Sequence, residues 1–195
     1  MGSRMYLTAQ KGFYIYFAVL LLLVPLRWIV AAVVSAGVHE LFHIAAIRIM
    51  GVTVHSLRIG INGTRIQTGP MTQRQELFCA LAGPAGGLCL LPLARWMPAV
   101  CLCGFIQSLY NLLPVYPADG GRAVRCAAGL LLPQKRAEKV CFVIERLVLT
   151  AILLAGLYGT FHMRLGLFPL AVAFLILWGS KKRNNSCKES DCGVQ

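Results

Sequence analysis

The stretch Val38-His39-Glu40-Leu41-Phe42-His43 lies within an apolar run that extends from about residue 28 to residue 50. Residues four apart share one face of an α-helix, so His39 and His43 are expected to point the same way. Two imidazoles at this spacing can bind one zinc ion, with Glu40 beside it as the base for an activated water. These polar groups are costly inside an apolar segment unless they are paired, metal-bound or functional. A zinc site is therefore favoured over a chance match with satisfied core histidines.

The composition is that of a membrane protein, because 57% of the 195 residues are hydrophobic and only 13% are charged. The net charge of +12 could suggest nucleic-acid binding. However, the basic residues cluster at the ends of apolar runs, which fits orientation in a membrane better than a DNA-binding face. We therefore expect a protein embedded in the lipid bilayer, with no nucleic acid as partner.

Hydropathy predicts an all-α polytopic fold with six transmembrane helices in one integral domain, residues 1–180. Pro114 and Pro117 are expected to end the fourth helix, and Pro133 to break a short basic surface helix that follows it. The glycines and the proline at 82–87 are expected to break or thin the third helix and to let another backbone come close. A polar tail, residues 181–195, follows the last span. The predicted spans are 12–26, 28–50, 73–95, 98–114, 140–160 and 165–179.

Residues 51–70 change character, because apolar and polar side chains alternate there. Asn62-Gly63 is a strong signal for a tight hairpin turn. The pattern predicts two short strands, near 52–60 and 64–68, between the second and third helices. A lone hairpin is marginally stable in water, so it is expected to lean on the membrane domain.

The distribution of lysine and arginine gives an orientation for these spans. Between the six predicted spans, 16 of the 19 basic residues fall on one side, and only Arg27, Arg95 and Arg164 fall on the other. The positive-inside rule then places both termini and the hairpin in the cytoplasm. The chain is expected to be a multi-pass protein of the cell membrane, with His39 about 15 Å from the cytoplasmic end of its helix.

A catalytic zinc site needs three protein ligands and one open position. Among the seven acidic residues, Asp119 and Glu145 are the candidates for the third ligand. Asp119 follows a proline-interrupted segment, and irregular backbone at membrane depth is tolerated where it lines a cavity or packs on protein. Glu145 can instead be explained as a carboxylate near the start of a helix. Asp119 is therefore favoured, with Glu145 as the alternative.

Three motifs together resemble the site-2 protease family of intramembrane zinc metalloproteases. They are His39-Glu40-Leu41-Phe42-His43 on an early span, Gly83-Pro84 on the next, and Asn111-Leu-Leu-Pro-Val-Tyr-Pro-Ala-Asp119-Gly-Gly after it. The likeness covers about residues 28–125. The compact chain is similar to the branch that processes a pro-sigma factor in spore-forming bacteria, although Ala118 stands where a leucine is usual in the family.

The resemblance implies a zinc-dependent endopeptidase that cleaves a peptide bond within or near a transmembrane segment. It implies His39, His43 and Asp119 as ligands of one Zn²⁺ per chain, with Glu40 as the general base. Asn111 would hold the substrate carbonyl or its oxyanion. A transmembrane protein is the expected substrate, and membrane-bound regulators are further expected partners.

Two other classes remain open from the sequence. A membrane metalloprotease of the CAAX type, which trims prenylated proteins, also places two histidines and a glutamate on a helix, but Glu145 would then be the third ligand. The other alternative is a catalytically inactive protein that only binds membrane helices. A zinc or proton transporter is disfavoured because the chain carries few intramembrane acids along a path.

Overall fold

The computed structural model describes residues 6–9, 24–60, 63–116 and 118–161. The chain divides into two compact units, residues 1–112 and 113–195, which are described in turn. Two of the predicted spans, 165–179 and most of 12–26, lie outside the described residues, as does the tail.

The first unit contains three α-helices, α1 (Leu26–Ile49), α2 (Gln73–Leu88) and α3 (Pro98–Asn111), with a 3₁₀ helix at Leu91–Arg95. Each of the three α-helices packs against the other two. Helix α2 runs through Pro84 without a break, whereas the sequence pattern had suggested that the helix is broken or thinned there. Helix α3 ends three residues earlier than predicted, because the residue before Pro114 is disfavoured in the helical region.

In helix α1 the distribution of polar and apolar side chains is the reverse of that in a helix of a water-soluble protein. Its buried stripe repeats every four residues and contains Ala31, Ser35, His39 and His43, which are small or polar. Its exposed side chains include large apolar ones such as Val33 and Leu41. Because lipid tails are as apolar as leucine, small and polar residues belong in the contacts between membrane helices.

Both ends of the α1–α2 connection are capped. Gly51, at a φ of 71°, ends α1 in the left-handed conformation that glycine adopts without strain. The amides of Gly51 and Val52 donate to the carbonyls of Arg48 and Ile47, which is the hydrogen-bond pattern of a Schellman motif. At the start of α2, Thr72 and Gln75 form a capping box.

Three strands form a sheet in the order β1 (Tyr6–Ala9), β2 (Val54–Gly60), β3 (Gly63–Thr68). Strands β2 and β3 are antiparallel, with Gly60 opposite Gly63, and lie where the alternating pattern predicts two strands. Residues 61–62 of the turn lie outside the described residues. Strand β1 pairs in parallel with β2; it was not predicted from the sequence, because four residues carry too little alternation to be read as a strand.

The second unit contains α4 (Asp119–Leu131) and α5 (Gln134–Phe161), which pack against each other. The helical structure is interrupted at Pro133, as the sequence predicts, because Leu132 takes the extended conformation that is favoured before a proline. The basic residues after the break are part of α5, so this helix starts at Gln134 rather than near residue 140.

Three helices among the described residues are long and apolar enough to cross a membrane: Leu26–Ile49, Gln73–Arg95 and Gln134–Phe161. The segment Gln73–Arg95 includes both α2 and the 3₁₀ helix. Helix α3 has 14 residues, or about 21 Å at 1.5 Å per residue, which is short of the ~30 Å hydrocarbon core. The apolar helices identify the chain as a membrane protein.

Candidate metal centre

His39 and His43 face each other on the buried stripe of α1. Both rings are more than nine-tenths buried, with exposed fractions of 4% and 7%. Their Nε2 atoms lie 3.1 Å apart and their rings meet edge to face, at an interplanar angle of 81°. Two nitrogens that share one tetrahedral zinc, each about 2.0–2.1 Å from it, would be about 3.3 Å apart. The pair therefore has the separation that a shared metal requires.

A backbone carbonyl orients one of the two rings. His43 Nδ1 lies 2.7 Å from the carbonyl oxygen of Cys79 on α2, and because a carbonyl only accepts, Nδ1–H is the donor. In the neutral imidazole the proton is then on Nδ1 and the lone pair on Nε2, the atom that faces His39. Metal-binding histidines are commonly fixed by such a contact on the second ring nitrogen.

The helix that supplies this carbonyl can approach α1 only because it carries glycines. A Cβ atom at Gly83 would lie 2.5 Å from Cε1 of His43 and clash with its ring, and one at Gly86 would lie 2.5 Å from Cγ of Phe42. The absence of a side chain at Gly83 therefore leaves the space that the His43 ring occupies. At Gly87 a Cβ would lie 2.8 Å from the carbonyl oxygen of Gly104 on α3, which confirms that another backbone comes close to this part of α2.

Glu40 follows His39 on α1 and is half-buried. Asn111 is the last residue of α3 and is also half-buried. These positions place both residues on the helices predicted to carry them. Their catalytic roles remain predictions.

Asp119 is the first residue of α4, and 8% of its surface is exposed. The positive end of a helix dipole stabilises a carboxylate at this position. Arg122, one turn later, has its Nη1 atom 3.9 Å from Oδ1 of Asp119. Because a Cβ at Gly121 would lie 2.5 Å from the carbonyl carbon of Val115, the segment before α4 turns back tightly on its first turn.

His39 and His43 in the first unit and Asp119 in the second are all buried, and all three are of residue types that bind metals. Each offers one atom that could bind a metal, an imidazole nitrogen or a carboxylate oxygen. Two imidazole nitrogens and one carboxylate oxygen are a donor set that suits zinc. Glu145, the alternative third ligand, is half-buried on α5.

Sequence reasoning missed two polar contacts in this region. Ser35 Oγ donates to Oε1 of Gln107 at 2.8 Å, and Ser108 Oγ donates to the carbonyl of Pro84 at 2.9 Å. Ser35 and Ser108 are completely buried. The available signal was a polar side chain inside an apolar span, the same signal that identified the histidines.

Comparison with solved structures gives a match to the site-2 protease from Methanocaldococcus jannaschii. The TM-score is 0.65, the sequence identity is 19%, and the match covers 93% of each chain. No protein-family model matches the chain, and no curated protein sequence matches it. The resemblance inferred from three short motifs is thus confirmed at the level of the fold: the chain has the fold of a site-2 protease.

Proposed function

We propose that this chain is an intramembrane zinc metalloprotease of the site-2 protease type. It would cleave a peptide bond within or near a transmembrane segment of a membrane-bound substrate. The observations that carry the proposal are the buried His39–His43 pair, on the helix that also supplies Glu40, and the site-2 protease fold of the chain.

In this proposal His39, His43 and Asp119 hold one Zn²⁺ per chain. Bound zinc would supply Lewis acidity and lower the pKa of a water towards ~7. The carbonyl of Cys79 would keep the lone pair of His43 Nε2 turned towards His39, because it accepts the proton on Nδ1. The burial of all three ligands would strengthen every electrostatic interaction at the site.

Glu40 would be the general base of the reaction. It is adjacent to His39 and half-buried, so its carboxylate would take a proton from the attacking water and pass it to the leaving amine. Asn111 would donate its side-chain amide to the substrate carbonyl as negative charge develops there. A helical substrate hides its carbonyls in its own hydrogen bonds, so the segment to be cleaved has to unwind.

The same proposal includes an orientation and a class of substrate. The excess of basic residues on one side of the spans supports a multi-pass protein with both termini in the cytoplasm. The ligand-bearing segments would then be reached from the cytoplasmic side. A membrane-associated pro-sigma factor is one substrate class to test, on the similarity to the sporulation branch.

The test uses synthetic transmembrane peptides with a central Asn-Pro-Gly break and one peptide that spans the pro-segment of a sigma factor. The zinc-loaded wild type in detergent is expected to cleave at least one of them. Glu40→Gln is expected to lower the rate at least ~10³-fold, because the base is lost, while zinc content stays at one per chain.

Glu138→Gln on α5 is the matched control, since this glutamate is exposed; it should cleave like the wild type. Full activity in Glu40→Gln would contradict the role of Glu40. No cleavage of any peptide by a zinc-loaded, folded wild type would contradict the proposed function.

A further inference from the structure

One hydrogen bond between α1 and α3 has no part in the proposed chemistry so far. Ser35 Oγ donates to Gln107 Oε1 at 2.8 Å. Ser35 is fully buried and Gln107 is half-buried. Burying polar side chains in an apolar helix pair costs free energy unless their hydrogen bonds are made. The Ser35–Gln107 pair is therefore expected to have a role beyond packing between the two helices.

Both partners lie one helical turn before a residue of the proposed site. Ser35 precedes His39 by four residues on the buried stripe of α1. Gln107 precedes Asn111 by four residues on α3. Residues four apart lie on one face and about 6 Å apart along the axis.

Helices α1 and α3 run in the same direction, because each is antiparallel to α2. Where α1 and α2 approach each other, residue numbers rise along one helix as they fall along the other. The same is true of α2 and α3. The pairs that show this are Phe42 with Gly86, His43 with Cys79 and Met50 with Gln75, then Pro84 with Ser108 and Leu90 with Cys101. The Ser35–Gln107 bond therefore fixes the register in which the next turns carry His39 and Asn111.

The same bond also fixes which way the Gln107 amide faces. Because Oε1 accepts from Ser35, the Nε2 group is turned away from Ser35. Nε2 makes no hydrogen bond within the part of the chain that the structure describes. Gln107 thus presents two N–H donors on the face of α3 that carries Asn111.

We propose that Gln107 Nε2 donates to a backbone carbonyl of the bound substrate, two residues from the scissile peptide bond, with Ser35 as its positioning residue. The inference rests on the proposed function, in which Asn111 holds the scissile carbonyl. In an extended chain, carbonyls two residues apart are about 6.6 Å apart, close to the ~6 Å between Gln107 and Asn111 along the helix. The two side-chain amides would donate to successive carbonyls on the same side of an unwound substrate segment. In a helical segment these carbonyls are occupied by the helix's own hydrogen bonds.

The experiment measures binding without turnover. A fluorescein-labelled transmembrane peptide of about 25 residues with a central Asn-Pro-Gly break is titrated against zinc-loaded Glu40→Gln protein in detergent. Adding Gln107→Met is expected to weaken binding five- to tenfold, the effect of one lost hydrogen bond. Ser35→Ala, which keeps the donor but frees its orientation, is expected to weaken binding about threefold. The exposed Gln134→Met is the matched control and should bind like its parent.

A second measurement leaves the protein unchanged. Replacing one carbonyl oxygen of the peptide by sulfur weakens that acceptor. We expect weaker binding when the replacement is two residues from the cleaved bond on one side, and no further loss in the Gln107→Met protein. If Gln107 had a structural role alone, Gln107→Met would lower the stability of the protein, and peptide affinity would not depend on one particular carbonyl.

Equal peptide affinity in the Gln107→Met and parent proteins would overturn the inference, and so would the same sulfur effect at every carbonyl. If Gln107→Met does not fold, the sulfur series on the parent decides alone. Cleavage by the wild type with no role for Gln107 would leave the proposed function standing. A Gln107-dependent affinity with no cleavage would instead leave a site that binds substrate, and would overturn the proposed function.

Discussion

The two histidines and Asp119 are positioned by different kinds of local structure. His39 and His43 lie in the middle of a 24-residue helix, where helical geometry alone sets their spacing. Asp119 is the first residue of α4, and its place depends on the tight packing of Val115 and Tyr116 against the first turn of this helix. The histidines are held by contact between side chains and a glycine-rich helix, whereas Asp119 depends on backbone packed on backbone.

The contrast predicts that the largest effect comes from Gly121. A Cβ there would lie 2.5 Å from the carbonyl carbon of Val115 and 2.6 Å from the amide nitrogen of Tyr116. Both are backbone atoms, which cannot rotate away as the end of a side chain can. Gly121→Ala is expected to destabilise the protein by about 3 kcal/mol or more and to lose zinc. Thermal unfolding in detergent and zinc content per chain measure the two effects. A wild-type midpoint with full zinc would show that this segment is not held as described.

Gly83→Ala is expected to have the next largest effect, and mainly on the metal. The added methyl group would displace the His43 ring, which is a side chain and can move, so the destabilisation should be about 1–3 kcal/mol. Zinc affinity should fall at least tenfold, because the ring leaves the position facing His39. The measurement is competition with a zinc chelator.

The control for that variant is Gly37→Ala on the same helix as the histidines. A Cβ at Gly37 would meet nothing within 4 Å, and alanine is the better helix former by about 1 kcal/mol. Gly37→Ala should keep zinc affinity and be as stable as the wild type or more so. Equal zinc affinity in Gly37→Ala and Gly83→Ala would refute the steric role of Gly83.

Ser108→Ala tests the contact between α2 and α3, which supports both regions less directly. The hydroxyl donates to the carbonyl of Pro84 from a fully buried position. Its loss should cost about 1 kcal/mol, visible as a lower unfolding midpoint with a small loss of zinc affinity. A loss of zinc as severe as in Gly83→Ala would mean that the positions of the histidines depend on α3 as much as on α2.

Thr72→Ala should have the smallest effect. It removes the capping box at the exposed start of α2 and should cost about 0.5–1 kcal/mol. Zinc affinity should stay at the wild-type value, because the cap lies at the other end of the helix from Gly83. Parallel losses of stability and zinc would show that any weakening of α2 reaches the histidines.

The helical parts of the site could be predicted from the sequence because they depend on local rules. The spacing of His39 and His43 sets their common face, the prolines set the ends of α3 and α4, and alternation around Asn62-Gly63 indicated two strands. What could not be predicted depends on which residues meet across space. The Ser35–Gln107 pair, 72 residues apart in the chain, and the four-residue strand β1 belong to this group.

The glycines show the same limit in another form. The motif Gly83-Pro84 indicated that something approaches α2 closely, and the structure identifies it as the His43 ring. Small residues in an apolar span predict a close contact. They do not predict its partner, because that depends on the register between two helices.

The most direct test of the account is the zinc content of the detergent-purified wild type beside Asp119→Ala and Glu145→Ala. We expect one zinc per chain in the wild type and in Glu145→Ala, and a loss of zinc in Asp119→Ala. Zinc lost with Glu145 and retained without Asp119 would contradict it and would favour the CAAX type of membrane metalloprotease. No zinc in any of the three after metal supplementation would contradict the metal site itself.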